Sequence, residues 1–362
     1  MSNEVKEYQR HLLQAIQSFD GQASLMEVCG THTMAIARSG IRELLPPGIK
    51  LLSGPGCPVC VTSQGDIDAV IEMVKGRDII LITFGDMMRV PGTDSSLQEE
   101  RSRGADVRIA YSPLDALRVA RENPDREVVF LGIGFETTTP TIAVTLEQAA
   151  AEGLKNFSVF SLHKVVPPAL ELIFSDPDIK VDGLICPGHV SAVIGVQPYA
   201  ALAEKYQKPC VITGFEASDI LEGIFMLLQQ LKKQEARVEI QYRRVVRPEG
   251  NALARQTMER MFRPASARWR GLGVIPDSGL TLRDEYAYMD ARLKFDIPEM
   301  EEIPIKGCAC GEVLAGKITP PECALFGRAC TPLQPVGPCM VSHEGSCAAY
   351  YRYTPMRGRG LE

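Results

Sequence analysis

Short apolar runs recur along the first two thirds of the chain, and most of them end in a glycine- or proline-rich turn. Their apolar residues do not alternate with polar ones, which is typical of parallel strands buried on both faces. The pattern predicts strands at residues 25–29, 50–53, 78–84, 107–111, 127–132, 157–162, 183–186 and 210–213.

The stretches between these runs have the spacing of amphipathic helices. Helices are predicted at residues 3–19, 66–75, 113–122, 140–152, 168–174 and 220–233. We therefore predict an α/β protein with two consecutive four-stranded parallel-sheet lobes. An N-terminal helix, within residues 1–20, packs on these lobes or on the C-terminal domain. The lobes are assigned to residues 21–122 and 123–248 and face a central cleft, with right-handed crossovers in each.

Polar or backbone-exposing residues follow almost every predicted strand. Ligands of open α/β sheets bind beyond the carboxyl ends of the strands, so two facing lobes would gather these residues around one cleft. A single histidine or glutamate at such a position is as compatible with a core or capping role as with a catalytic one. The candidate side chains are Cys29, His32, Cys57, Cys60, Glu136, His163, His189 and Glu216.

Residues 249–362 have a different pattern. A helix is predicted at 249–262 and an irregular or extended segment at 269–276, and from residue 303 the chain is rich in glycine, proline and cysteine. Such a loop-dominated domain needs a metal, a cluster or another staple. Its wide cysteine spacing favours an iron–sulfur cluster, with structural zinc or disulfides as alternatives. The cysteines are Cys308, Cys310, Cys323, Cys330, Cys339 and Cys347.

Two further thiol motifs follow the first two strands. Cys57 and Cys60 have the C-x-x-C spacing of a redox disulfide, with half of a metal site or a pair of turn thiols as alternatives. Cys29 and His32 form a C-x-x-H motif whose thiolate could bind a soft metal. Cys186 and Cys210 are interpreted as small buried hydrophobic residues.

The composition excludes several classes of function. A hydrophobic content of 45%, a charged content of 23% and a mean hydropathy of −0.03 are those of an ordinary soluble globular protein. The net charge of −6 leaves no basic face for nucleic acid. Neither a signal peptide nor an apolar stretch long enough to span a membrane is predicted, so we expect a cytoplasmic protein.

Six motifs occur together between residues 26 and 342. They are MEVCGTHT at 26–33, GPGCPVC at 54–60, GFETT at 134–138, HKVVPP at 163–168, CPGHVS at 186–191 and GPCMVS at 337–342. In this combination the chain resembles the HypD family of iron–sulfur maturation factors for nickel–iron hydrogenases, over nearly its whole length. One departure is Ala217, where the family is expected to have proline.

The resemblance implies a scaffold on which iron receives two cyanides and one carbon monoxide, giving Fe(CN)2CO. It implies a HypC-type small chaperone and a HypE-type cyanide donor as partners, and the hydrogenase large subunit as an indirect one. It also implies that Cys29 holds the transient iron and that Cys57 and Cys60 form a redox-active dithiol. A 4Fe–4S cluster would be held by Cys310, Cys323, Cys330 and Cys339. We assign His32 a supporting or proton-handling role and count His189 and Glu216 among the catalytic candidates.

Two other classes of function fit parts of the sequence. A cluster-dependent protein disulfide reductase would act through Cys57 and Cys60 and would not need Cys29. A zinc-stabilised thiol binding module would be colourless. Neither explains why so many strand ends carry polar residues. We therefore predict a redox-active assembly scaffold rather than a conventional turnover enzyme.

Overall fold

All eight predicted strands are present in the computed structural model, which describes residues 3–303 and 305–354. Three strands were not predicted from the sequence: a short edge strand and the two strands of a hairpin. The strands are β1 Ala23–Glu27, β2 Ile49–Ser53, β3 Ile79–Thr83, β4 Asp106–Ile109, β5 Glu127–Gly132, β6 Phe157–Ser161, β7 Gly183–Pro187, β8 Cys210–Thr213, β9 Val238–Ile240, β10 Phe262–Trp269 and β11 Gly273–Leu282.

Helices connect most of the strands, and short 3-10 helices occupy Gly85–Arg89, Asp284–Met289 and Pro320–Glu322. The α-helices are α1 Asn3–Gln17, α2 Gly30–Arg38, α3 Ile41–Leu44, α4 Pro58–Val61, α5 Gln64–Val74, α6 Leu97–Ser102, α7 Leu114–Glu122, α8 Thr139–Glu152, α9 Val166–Ser175, α10 Gly188–Ile194, α11 Gln197–Tyr206, α12 Ala217–Lys233, α13 Ala252–Met261, α14 Ala291–Lys294, α15 Cys310–Leu314, α16 Pro338–Val341 and α17 Ser346–Tyr353.

The strands form two parallel sheets, as the sequence predicts, but their distribution corrects the predicted order. One sheet has five strands in the order β2-β1-β7-β8-β9, and the other has four in the order β4-β3-β5-β6. The chain leaves the first sheet after β2, builds the whole second sheet, and returns at β7. The lobes are therefore not two consecutive four-stranded segments. Apolar runs indicate that a strand is buried and do not indicate which strand lies beside it.

The inner faces of the two sheets share one hydrophobic core. Leu81 of β3 and Leu184 of β7 both belong to it, together with the buried cysteines of the C-terminal segment. Alternate residues of the same strands point outward, where Ile80 packs with α7 and α8 and Ile185 packs with α1 and α12. The cysteine-rich segment is thus part of the central core.

The hairpin of β10 and β11 lies where the sequence predicts only an irregular or extended segment around residues 269–276. Trp269 is buried at its end and donates its indole N–H to Ser278 Oγ at 2.8 Å. Its ring stacks on Phe135, with 6.0 Å between the ring centroids. A β-carbon on Gly271 would lie 2.0 Å from Gly311 Cα, so the hairpin turn abuts the backbone of α15.

The remaining C-terminal segment consists of short helices joined by loops, as predicted. Helix α16 packs against α4, and α17 packs against α2, so this segment contacts both helices that follow the first two strands. Within the described residues, no helix is both long and apolar enough to cross a bilayer.

We expect the substitution Trp269→Ala to lower the free energy of unfolding by about 3–5 kcal/mol, because it leaves a large cavity and removes the indole N–H that donates to Ser278 Oγ. Urea unfolding of the purified protein measures this loss. The control is Leu293→Ala, whose side chain is 65% exposed and whose truncation is expected to change the free energy by about 0.5 kcal/mol or less. A similar loss in both variants would contradict the structural role of the hairpin.

Candidate functional site

A cleft of about 840 Å³ opens beyond the carboxyl ends of strands from both sheets. Its walls come from the segments after β1, β2, β3, β4, β5 and β7, and one residue of the C-terminal segment completes them. The two lobes therefore face a common cleft, as predicted. Among the candidate side chains, Cys29 and His189 line it directly.

Cys29 stands at the N-terminal cap of α2 in an extended conformation. Its backbone N–H donates to Glu27 Oε2 at 3.1 Å, and the Thr33 hydroxyl donates to Glu27 Oε1 at 2.6 Å. Burial raises the pKa of the Glu27 carboxyl to about 7. The Glu27 carboxyl thus links the backbone of Cys29 to the first turn of α2 through two hydrogen bonds.

The two thiol loops touch through their backbones. Gly30 N–H donates to the carbonyl of Gly56 at 3.1 Å, and Gly54 N–H donates to the carbonyl of Glu27 at 2.7 Å. A β-carbon on Gly56 would lie 2.2 Å from the Cys29 backbone nitrogen. Only glycine fits at this position without displacing Cys29.

Burial raises the pKa of the Cys29 thiol to about 12, and the nearby Glu344 carboxylate adds to the effect. The backbone N–H groups of Thr31 and His32 act in the opposite direction. At neutral pH the thiol therefore stays protonated.

Glu344 is a residue of this site that the sequence did not indicate. It lines the cleft from the connection between α16 and α17, and its Oε1 accepts a hydrogen bond from the Thr31 hydroxyl at 2.8 Å. A β-carbon on Gly30 would lie 2.4 Å from Glu344 Cβ, so this connection presses against α2. The only feature of the sequence that could have indicated Glu344 is its position two residues after the GPCMVS motif.

His32 is buried between α2 and β8 and does not line the cleft. Its Nε2 lies 2.9 Å from the Gly214 carbonyl and 2.9 Å from Thr213 Oγ1. The carbonyl requires a proton on Nε2, which leaves Nδ1 as an acceptor with no partner in the described residues. Burial lowers its pKa to about 4, so the ring is neutral at physiological pH. The surroundings of His32 suit a supporting role better than proton transfer.

The other candidates divide between the cleft and its surroundings. His189 is exposed in the cleft and packs on Phe215, with 4.1 Å between ring centroids, and Phe215 also stacks on His32. Partial burial lowers the pKa of His189. Glu216 lies outside the cleft wall at the N-terminal cap of α12, where its backbone N–H donates to Asp219.

Glu136 and His163 are both buried outside the cleft wall. Glu136 Oε1 accepts the Val166 N–H at 2.9 Å, and burial raises the pKa of the carboxyl to about 7. His163 lies 3.0 Å from Ser161 Oγ through Nδ1, and burial lowers its pKa to about 3. The sequence alone could not show that these two residues are buried in the core and do not line the cleft.

Cys57 and Cys60 form a disulfide across the first turn of α4. Both are buried, with 4% and 0% exposure, while Pro58 and Val59 between them face the cleft. The Cys60 N–H donates to Cys57 Sγ at 3.2 Å. The pair therefore lies directly behind the cleft wall.

The six C-terminal cysteines line one small cavity of about 10 Å³. Its other walls are apolar, and Cys310 Sγ lies 2.7 Å from Cys339 Sγ. Hydrogen bonds from Cys308 and Cys339 lower the pKa of Cys310. Thiols in an apolar pocket are the donor set of an iron–sulfur cluster, which their chemistry fits. Among the described residues, no three or more side chains are placed to bind a metal ion together. The sulfurs would therefore have to move apart to hold a cluster.

Arg270, in the turn of the hairpin, connects the disulfide segment with this cavity. Its backbone N–H donates to Val61 O and its Nε donates to Thr62 O, each at 2.9 Å. The guanidinium is buried, its second terminal nitrogen has no partner in the described residues, and its charge favours the thiolate of Cys310. Cys186 and Cys210, in contrast, are buried within the first sheet, as predicted.

Comparison with known proteins places these features in one family. The HypD family model, described as the hydrogenase formation hypA family, matches residues 4–354. The chain is 48% identical over 336 residues to the hydrogenase maturation factor HypD of Rhodobacter capsulatus, covering 91% of this chain and 89% of that protein. It is 47% identical over 330 residues to the HypD of Escherichia coli, covering 91% and 88%.

The similarity to a more distant relative extends over the same share of the chain. The chain is 44% identical over 329 residues to a putative hydrogenase expression/formation protein of Methanocaldococcus jannaschii, covering 91% of each chain. The similarity thus spans both sheets and the cysteine-rich segment. The chain belongs to the HypD family of hydrogenase maturation factors.

Proposed function

We propose that this chain is the scaffold on which the Fe(CN)2CO group of a nickel–iron hydrogenase is assembled, with Cys29 as its iron ligand. The observation that supports this most directly is the position of Cys29. It is a free thiol that lines the cleft between the sheets, and its loop touches the loop of the Cys57–Cys60 disulfide. The iron is the cargo of this site and arrives from outside.

The residues around Cys29 suit the capture of a cation. Iron would replace the thiol proton, and the Glu344 carboxylate and the His189 imidazole lie on the same cleft wall. Both groups accept protons or hydrogen bonds, and Glu344 adds negative charge beside the metal. Much of the wall is apolar, which suits low-spin iron that carries cyanide and carbon monoxide.

A 4Fe–4S cluster in the cysteine cavity would supply electrons near this site. We assign Cys310, Cys323, Cys330 and Cys339 as its ligands, which leaves Cys308 and Cys347 as additional lining thiols. Reduction of the Cys57–Cys60 disulfide takes two electrons and two protons. Packing of α16, which carries Cys339, against α4, which carries Cys60, supports a short route between the two groups.

The partners proposed from the family are a HypC-type chaperone and a HypE-type cyanide donor. Both would approach the cleft mouth, and the hydrogenase large subunit would receive the finished group indirectly. We place these steps in the cytoplasm, because a reducing compartment keeps a large set of free thiols such as those of this chain reduced.

General reduction of protein disulfides is a weaker proposal. A partner disulfide has to reach the attacking sulfur, and both sulfurs of the Cys57–Cys60 pair belong to buried residues. The burial favours a disulfide that serves the cleft of its own chain.

Replacing Cys29 with alanine is expected to abolish hydrogenase maturation and iron capture in the cleft, because no other thiol of the described residues lines it. The spectrum of the cluster should be unchanged, because Cys29 lies outside the cysteine cavity. Complementation of a strain that lacks this factor, together with the visible spectrum of the purified variant, measures both effects. Cys210→Ala removes a buried thiol elsewhere and serves as the control. Full maturation by the Cys29→Ala variant would refute its role as iron ligand.

Replacing Arg270 with glutamine is expected to lower the midpoint potential of the cluster by several tens of millivolts, because a buried positive charge favours the reduced state. Redox titration followed by electron paramagnetic resonance measures the shift. Arg270→Lys keeps the charge and should retain most of the potential. Arg263→Gln, an exposed change on the same hairpin, should leave it unaltered. An unchanged or higher potential in Arg270→Gln would contradict this role.

A further inference from the structure

A second cavity, of about 370 Å³, lies between the segment after β6, the start of α5 and the hairpin of β10 and β11. None of the residues that line it also lines the cleft. Neither the iron site nor the cysteine cavity uses its polar groups. What distinguishes it is an excess of basic side chains, one of which is almost completely buried.

Lys164 is the buried basic residue, and it is only 2% exposed. Its Nζ has no hydrogen-bond acceptor among the described residues, and the nearest carboxylate oxygen, Asp66 Oδ2, is 4.0 Å away. The other oxygen of Asp66 is contacted by Arg292 at 3.3 Å. The Trp269 ring lies with its centroid 5.7 Å from the ammonium, and the Glu302 carboxylate also acts on its charge. A largely buried ammonium with no acceptor within hydrogen-bond distance is costly, so an anion in the cavity would stabilise it.

Arg268 lines the same cavity from β10, and its guanidinium forms no hydrogen bond or ion pair within residues 3–303 and 305–354. The other charged groups of the wall are mostly engaged. Arg263 pairs with Asp284 at 3.2 Å, and Asp290 accepts the backbone N–H groups that begin α14. Glu299 is exposed at the rim. Two cations with unused donors therefore face the same cavity.

We infer that this cavity binds a small oxyanion, a phosphate or a carboxylate, held by Lys164 and Arg268. The bound oxygen atoms would supply the acceptors that Lys164 lacks, and the Arg268 guanidinium would offer paired N–H donors. The site lies next to the cleft, because Lys164 N–H donates to the carbonyl of the cleft residue Gly134 at 3.0 Å. The inference does not depend on iron or on a cluster.

Isothermal titration calorimetry of the full chain tests this, with inorganic phosphate in one arm and acetate in the other. We expect saturable binding of one of the two anions, which identifies the oxyanion class. Lys164→Met and Arg268→Gln should each weaken that binding about tenfold or more, because each removes a charge-assisted contact.

The control is Arg118→Gln, which removes the same charge from an exposed i,i+4 pair with Glu122 and should leave binding unchanged. If the Lys164→Met variant fails to fold, the exposed part of the wall is still tested by Arg268→Gln. Absence of binding by the unmodified protein in either arm would overturn the inference. Equal binding by the unmodified protein and Arg268→Gln would overturn it too.

Discussion

The contact between two backbones is the constraint on which the site depends. The loop that carries Cys29 and the loop that carries the Cys57–Cys60 disulfide meet at Gly56, where there is no room for a β-carbon. Because the two loops follow neighbouring strands of one sheet, their approach is fixed by the strand pairing beneath them. The free thiol and the disulfide thus come together without a direct bond between them.

Burial then determines the chemistry of each group. It keeps the Cys29 thiol protonated and the His32 ring neutral, so the charge of the cleft wall comes from the carboxylates of Glu344 and Asp86. The C-terminal segment contributes residues both to the cysteine cavity and to the cleft. Its cysteines form the cavity behind α4, and the connection between α16 and α17 brings Glu344 to the cleft. The same segment therefore connects the cysteine cavity to the wall of the cleft.

The sequence predicted the parts of this structure that depend on local patterns. Buried parallel strands such as β3 are continuous apolar runs, and their ends could be read directly. The sheet to which each strand belongs could not be predicted, because β1 pairs with β7 across more than 150 residues and no local sequence pattern indicates this pairing. The hairpin was missed because β10 and β11 mix exposed and buried residues irregularly. The positions of Arg270 and Glu344 beside the site were missed. A single charged residue in a loop has no sequence pattern that indicates which residues pack around it. The predicted roles of His189 and Glu216, and the cluster itself, stay predictions.

Iron and zinc analysis of the anaerobically purified protein, together with its visible spectrum, tests the central claim most directly. If the cysteine cavity holds a 4Fe–4S cluster, the protein will be brown and contain about four iron atoms per chain with little zinc. A colourless protein with about one zinc atom per chain would contradict the claim, because zinc has no redox chemistry with which to serve the disulfide.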